Sequence, residues 1–316
     1  MNGDSSIPRD RIPVYNIKAV AQLLGILPVT LRAWERRYGM PSPSRGQQGY
    51  RLYSEYDVRI LRWLKTQVDR GLTIGRATEF LNELRLLGVD PASGTAAPGA
   101  ETIPSPQDLS HQFQHALRNF DEITAREILR RGFADHPVEV VLEDLIQPAL
   151  VEIGEAWHRG ELQIAVEHFA TQFCTLQLTG MLSGLGGPTH PGIILAACAP
   201  GEMHQVGLLM IIVLLRWRGW DVRYLGQDLP LEKLAEAVAP LQPRMLLFSA
   251  TRPESARSLA SLAGILPTFG EPAPRIIVGG KGFAEAGLPE DFPAVVLQPP
   301  LRSMVDEIES ILLKTA

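Results

Sequence analysis

Five short apolar runs, "GIILAAC", "DVRYLG", "RMLLFSA", "RIIVGG" and "AVVLQ", punctuate residues 192 to 298, with amphipathic helical stretches between them. This alternation constrains the fold more than any other feature of the chain. Strands that return through helices build a parallel sheet with helices on both faces. The C-terminal part, from Pro191 onward, therefore reads as an open doubly wound sheet, flavodoxin-like or Rossmann-like. In such sheets ligands bind beyond the carboxyl ends of the strands, so polar residues that follow these runs are the first candidates for function.

Upstream the pattern changes. "LSHQFQHALRNFD", "EITAREILRRGFAD", "PVEVVLEDLIQPALVEIGEAWHRG" and "LQIAVEHFATQFCTLQLTGMLSGL" are apolar-periodic segments with short joints, which predicts a four-helix bundle. Before them, "GVDPASGTAAPGAETIPSPQD" has no periodicity and is rich in Pro, Gly, Ala, Ser and Thr, the composition of a flexible linker. The chain divides accordingly into an N-terminal module at 1–87, a linker at 88–108, the bundle at 109–187 and the sheet domain at 188–316. The fold class is multidomain α and α/β.

Charge is uneven across these parts. Residues 1–87 carry 14 Lys+Arg against 8 Asp+Glu, while the whole chain has a net charge of -5. A basic end on an acidic body points to a polyanionic partner for the first module. The two cysteines, Cys174 and Cys198, lie in apolar segments and form no CxxC or Cys/His cluster, which argues against a disulfide framework or a zinc site. No apolar run reaches the ~20 residues of a membrane span, and the N-terminus lacks the apolar core of a signal peptide, so a cytoplasmic protein without a membrane partner is expected.

Within the first module, "YNIKAVAQLLG" and "VTLRAWERRYG" read as two helices closed by Gly25 and Gly39, with helix-turn-helix spacing. Pro28 opens the second helix, and Leu27 stands where a polar cap is usual. "PSPSRGQQGYRLY" reads as a β-ribbon, and Ser54 with Asp57 as a capping box for a third helix, followed by a fourth from Thr73 to about Leu87. "TLRAWERRYG" followed by "GYRLYSEYDVRIL" resembles the MerR family of winged helix-turn-helix regulators, over residues 13 to about 85. The resemblance implies that the second helix enters the major groove of operator DNA while the wing meets the flanking backbone. Thr30, Arg32, Arg36 and Arg37 are the helix candidates, and Arg45, Tyr50 and Arg51 the wing candidates. Trp34 and Tyr38 are expected to pack in the core.

The first apolar run leads into "APGEMHQVGLLM", and Glu202-x-His204-x-x-Gly207 resembles the Asp-x-His-x-x-Gly motif of base-off/His-on corrinoid proteins. In that family the imidazole is the lower axial ligand of cobalt, and the carboxylate takes the other ring N–H, fixing the tautomer. A Ser after the third core strand and a Gly-Gly after the fourth line the nucleotide tail there; Ser249 and Gly279-Gly280 match. The usual apolar residue two after the Ser is Thr251 here. A phosphate cradle is disfavoured, because neither GxGxxG nor a Walker lysine follows the first strand.

The bundle carries Trp157, nine residues, then Glu167-His168. This resembles the signature of the CarH-type, adenosylcobalamin-dependent light-sensing repressors, which are MerR-type themselves. The resemblance implies that Trp157, Glu167 and His168 cap the upper axial adenosyl group, and that His158 becomes the second axial ligand after light cleaves the cobalt–carbon bond. It further implies a repressor rather than an enzyme, tetrameric on operator DNA in the dark and monomeric in light. A regulator that senses cofactor abundance or form, and a corrinoid methyl carrier or enzyme subunit, are the alternatives.

Overall fold

The computed structural model describes residues 8–46, 49–69, 72–86, 90–92, 104–185, 187–286, 292 and 294–314. The first module begins with β1 (Pro13–Asn16) and α1 (Ile17–Leu24). Asn16 ends the strand and caps the helix: its side chain accepts the Ala19 N–H at 3.0 Å. Gly25, with φ 62°, turns the chain into α2 (Pro28–Tyr38), and Gly39, with φ 68°, ends that helix. Leu27 makes no side-chain cap, and Pro28 lacks the amide hydrogen that would need one. The wing is β2 (Ser44–Arg45) against β3 (Arg51–Ser54), antiparallel. Strand β1 pairs with the other edge of β3, a partner that the helical reading of Tyr15 and Asn16 left out. The Ser54–Asp57 box is present, with Ser54 N–H donating to Asp57 Oδ2 at 2.8 Å and Asp57 N–H to Ser54 Oγ at 3.2 Å. It opens α3 (Glu55–Asp69), and α4 (Ile74–Leu86) follows.

The bundle comprises α5 (Pro106–Arg118), α6 (Glu122–Asp135), a third helical run and α9 (Ile164–Gly184). The third run is continuous: α7 (Val138–Val140) passes through a π-helical stretch, Val141–Ile146, into α8 (Gln147–His158). Pro148 explains the wider winding, since it has no N–H and its ring crowds the carbonyl four residues back. Helix α5 starts inside the stretch read as linker, because Ser105 Oγ accepts the Asp108 N–H at 3.1 Å and Pro106 sits in the first turn. Asp90 and Ala92 also belong to packed structure: Asp90 accepts the Tyr56 hydroxyl, and Ala92 is buried. Most of the rest of that linker lies outside the described residues.

The last domain runs β4 (Ile193–Cys198), α10 (Val206–Trp217), β5 (Asp221–Tyr224), α11 (Leu234–Val238), β6 (Met245–Ser249), α12 (Pro253–Ser258), α13 (Leu262–Ile265), β7 (Arg275–Gly279), α14 (Gly282–Ala286), β8 (Ala294–Val296) and α15 (Leu301–Lys314). The strands are parallel in the order β5-β4-β6-β7-β8. Of the two doubly wound arrangements expected, this is the flavodoxin-like one. Its topological switch point lies between β4 and β6, which places the crevice for a ligand beyond Cys198 and Ser249.

The modules share a core. Phe80 of α4 is 1% exposed. Its ring stacks on Trp63 at 5.8 Å, meets Phe133 of the bundle edge-on at 6.2 Å, and meets Trp217 of α10 edge-on at 4.2 Å. Trp63 Nε1 donates to the Phe133 carbonyl at 2.7 Å. The Arg76 guanidinium donates to the carbonyls of Arg216 and Gly187, and so caps the C-terminal end of α10. On another side, Arg302 at the start of α15 donates to the bundle's Glu143 through Nε at 2.9 Å and through its backbone N–H at 2.6 Å. Among the described residues no single helix is long and apolar enough to cross a membrane.

Candidate cofactor site and nucleic-acid interface

The loop after β4 is built around a buried carboxylate. Gly201 turns the chain at φ 74°, and its N–H donates to Asp228 Oδ1 at 2.6 Å. Glu202 is 0% exposed. Its Oε1 accepts the His204 N–H at 2.8 Å and His204 Nδ1 at 2.6 Å. Its Oε2 accepts the Thr251 N–H at 2.6 Å, the Thr251 hydroxyl at 2.8 Å and the Arg252 N–H at 3.1 Å. Burial alone would raise the pKa of such a group; the bonds from His204 and Thr251 outweigh it and bring the carboxyl down to about 2. Glu202 is thus an anion fully satisfied by protein donors.

That arrangement dictates the state of His204. A carboxylate can only accept, so Nδ1 carries the hydrogen and Nε2 is the nitrogen left for another partner. The side chain is 60% exposed. The hydrogen bond to Glu202 raises the imidazole pKa, burial opposes it, and the charges of Glu202 and Glu167 add to the rise while Lys281 counters it. Glu167 lies in the first turn of α9, so the bundle brings its own carboxylate to this loop. The two long helices explain why. Helices α9 and α10 pack together, and near their C-terminal ends the Thr189 and His190 N–H groups reach the Gly219 carbonyl at 2.8 and 3.1 Å. Their N-terminal ends, with Glu167 and with His204, therefore share the opposite end of the molecule.

Some of the space next to this loop is left open by the protein's own side chains. A Cβ on Gly207, in the first turn of α10, would meet nothing within 4 Å, so that glycine answers no need of the protein's own packing. Ser249 is half-buried at the end of β6, and a Cβ on Gly279 would meet only Leu297 at 3.8 Å. Gly280 differs. At φ 109° its Cβ would stand 2.3 Å from the Ala250 carbonyl oxygen, so the loops after β6 and β7 touch backbone to backbone there. Thr251, two residues after Ser249, bonds Glu202. Asp228 and Gln227, which donates to the Met203 carbonyl, brace the loop as well. Neither was singled out from sequence, although a polar Gly-Gln-Asp directly beyond a strand is the available signal.

At the bundle end, Trp157 is 36% exposed and its ring lies 5.0 Å from that of His158, which is exposed. Glu167 accepts the Thr171 hydroxyl at 2.8 Å and bonds His168 Nδ1 at 2.7 Å. His168 is exposed at the surface. The turn Arg159–Gln163 joins α8, which ends in Trp157 and His158, to α9, whose first turns carry Glu167 and His168.

On the first module, Arg32, Arg36 and Arg37 are exposed along α2, Thr30 is half-buried, and Arg45 and Tyr50 project from the wing, Tyr50 being 70% exposed. Trp34 is buried and Tyr38 packs against Gly75, as expected of core residues. Arg51, the third wing candidate, is not a free cation. It pairs with Glu35 of α2, and that bond raises its pKa. It ties wing to helix.

Three family models match the chain: the MerR HTH family regulatory protein at residues 15–84, and B12 binding domains at 109–176 and 192–297. The HTH-type transcriptional repressor CarH of Myxococcus xanthus is 32% identical over 244 residues, spanning 77% of this chain and 80% of that protein. The chain belongs to the CarH family. The repressor CarA of the same organism is 29% identical over 272 residues, covering 85% of this CarH-family chain and 87% of its own. Among solved structures, the Methanosarcina barkeri monomethylamine corrinoid protein superposes with a TM-score of 0.55 at 16% identity, over 66% of this chain and 100% of that one. That likeness covers the fold of bundle and sheet. The Trp157–Glu167 turn falls within the first B12 binding domain match, 109–176, and the loop of Glu202, His204 and Gly207 with its switch-point crevice within the second, 192–297.

Proposed function

We propose that this CarH-family protein is a cytoplasmic transcriptional repressor that uses adenosylcobalamin as its light sensor. The observation that carries the reading is His204: its Nδ1–H is tied to a buried carboxylate, its Nε2 is left open, and it stands at the switch point of a flavodoxin-like sheet. Bound adenosylcobalamin would supply a cobalt–carbon bond that light can break. His204 would hold cobalt, with Gly207, Ser249 and Gly279 leaving room for the tail and Gly280 holding the two loops beside it together. Trp157 would shield the adenosyl group, Glu167 and His168 would meet its polar edge, and His158 would serve as the second ligand after light. Arg32, Arg36, Arg37, Thr30, Arg45 and Tyr50 would bind operator DNA. Assembly into a dark tetramer would link several weak DNA-binding modules into one tight binder, and dissociation to monomers in light would release it.

The test compares operator binding, oligomer size and absorption for adenosyl- and methylcobalamin, dark and after green light. DNA binding and tetramer formation only with adenosylcobalamin in the dark, both lost in light, is the expected result. Binding that ignores light but follows cofactor concentration would replace this reading with cofactor sensing. His204→Ala should lose cobalamin or leave it without the histidine-ligated spectrum.

A further inference from the structure

We propose that Thr251 is a positioning residue for His204, and that Glu202 and Thr251 act in this chain as one coupled unit. The inference rests on the corrinoid reading and deepens it. The sequence departs from the corrinoid pattern twice, with Glu for Asp at 202 and Thr for an apolar residue at 251, and the geometry makes the two departures one.

Glu202 divides its oxygens between two loops. Oε1 serves His204 on the loop after β4; Oε2 serves Thr251 and Arg252 on the loop after β6. The Thr251 hydroxyl gives its hydrogen to Glu202 Oε2 at 2.8 Å, and its oxygen lies 2.9 Å from His204 Nδ1. A hydroxyl donates one hydrogen and still accepts, so the Nδ1–H is shared between a carboxylate and a hydroxyl that hold each other. The ring's orientation then depends on two groups across the switch point rather than on one. An Asp at 202 has one methylene less and could not make the same span from His204 to Thr251. An apolar residue at 251 would leave Oε2 without its hydroxyl donor.

The far side of Thr251 is equally constrained. Ala250 N–H donates to the Gly279 carbonyl at 2.9 Å, and Gly282 N–H to the Ala250 carbonyl at 3.1 Å. A Cβ at Gly282 would stand 2.6 Å from the Arg252 carbonyl oxygen. Backbone contacts from the β7 loop thus fix the segment that carries Thr251, Thr251 fixes Glu202, and Glu202 fixes the imidazole before any cofactor arrives. Partners behind a metal-binding histidine typically change metal affinity about 10- to 100-fold when removed.

The experiment uses the full chain with Thr251→Val, Thr251→Ser, Glu202→Asp and the double variant Glu202→Asp/Thr251→Leu. In the cofactor-free protein, the 15N–1H resonance of His204 Nδ1–H should be present in wild type and Thr251→Ser and lost to exchange in Thr251→Val. In the loaded protein, Thr251→Val and Glu202→Asp should each weaken cobalamin binding about tenfold, measured by equilibrium dialysis. With Thr251→Leu added as the second single variant of the cycle, the double variant should lose markedly less than the product of Glu202→Asp and Thr251→Leu, because the pair acts together. An unchanged His204 resonance in Thr251→Val, or a strictly multiplicative cycle, overturns the proposal. If wild type retains no cobalamin at all, the corrinoid reading falls instead, and the cofactor-free resonance still decides the role of Thr251. Thr251→Ser keeps the hydroxyl, so its failure alongside Thr251→Val would mean packing rather than positioning and would equally overturn it.

Discussion

Glu202 is charged, wholly buried and stable there because each of its oxygens is met by protein donors. A carboxylate accepting bonds from an imidazole, a hydroxyl and three backbone N–H groups is stabilised as the anion, and the carboxyl falls from 4.5 to about 2. A group with a depressed folded pKa contributes stability in full above its unfolded pKa and loses it as the pH falls through the folded one. Glu202→Gln should therefore destabilise the cofactor-free protein by ~3 kcal/mol near neutrality, the scale of bonds to a buried charged group. The gap between the two proteins should narrow as acid approaches pH 2, since protonated Glu202 then resembles Gln, and should also shrink as the pH rises through the raised pKa of His204, because that rise depends on Glu202. Denaturant titrations of both at a series of pH values measure it. A gap that does not change with pH would mean that shape, and not charge, decides the site.

At the scale of elements, the two glycine positions beyond the strands differ in kind. Gly280→Ala puts a Cβ against the Ala250 carbonyl at a backbone angle that L side chains rarely adopt, so it should lower stability by more than ~1–3 kcal/mol even without cofactor. Gly207→Ala meets open space on a helix, so melting of the cofactor-free protein should be unchanged or slightly raised, by up to ~1 kcal/mol. Under the proposed function the same change should weaken cobalamin binding, because it fills space that the tail uses. Helix α2 and the wing make a second contrast. Arg37 is exposed, whereas Arg51 is paired with Glu35. Arg37→Ala should lower operator affinity and reduce the slope of log affinity against log salt by about one, as the loss of one phosphate contact does. Arg51→Ala should weaken binding by loosening the wing, with a smaller change in slope. Titrations at several salt concentrations separate the two, and equal slope changes would return Arg51 to the list of direct phosphate contacts.

Across the whole molecule, one helix meets both ends of the problem. The N-terminal turn of α10 carries the candidate cobalt-ligand loop, and its C-terminal end receives Arg76 and Phe80 of the DNA-binding module. Phe80 joins three modules through Trp63, Phe133 and Trp217, so it belongs to no single core. Phe80→Ala should cost ~3–5 kcal/mol, as deletion of a buried aromatic does, and should split one thermal transition into separate transitions for the module and the body. Arg76→Ala removes the cap without hollowing the core, so it should free the module from α10 while leaving each part folded. Small-angle scattering would then give a larger radius of gyration than wild type. An unchanged radius and a single transition in both variants would show that other contacts hold the module in place.

Local signals were enough for many elements, though not for β1 or the start of α5: apolar runs between amphipathic stretches gave parallel strands, Ser54 and Asp57 started a helix, and Gly25 and Gly39 ended two. Glu202-x-His204-x-x-Gly207 and Ser249 also lay at strand ends that periodicity alone could place. Those features depend on residues within a few positions of one another, so they are written in the order of the chain. The strand order β5-β4-β6-β7-β8, the pairing of β1 with β3, the Glu35–Arg51 tie and the grip of Thr251 on Glu202 are contacts between residues distant in sequence. So is the meeting of Phe80 with Phe133 and Trp217, which joins modules that composition set apart. Nothing in spacing or composition encodes such partners, because burial rewards any apolar neighbour and a carboxylate accepts from any donor in reach. Which neighbour and which donor are decided only when the strands have closed into one sheet and the helices have packed on it.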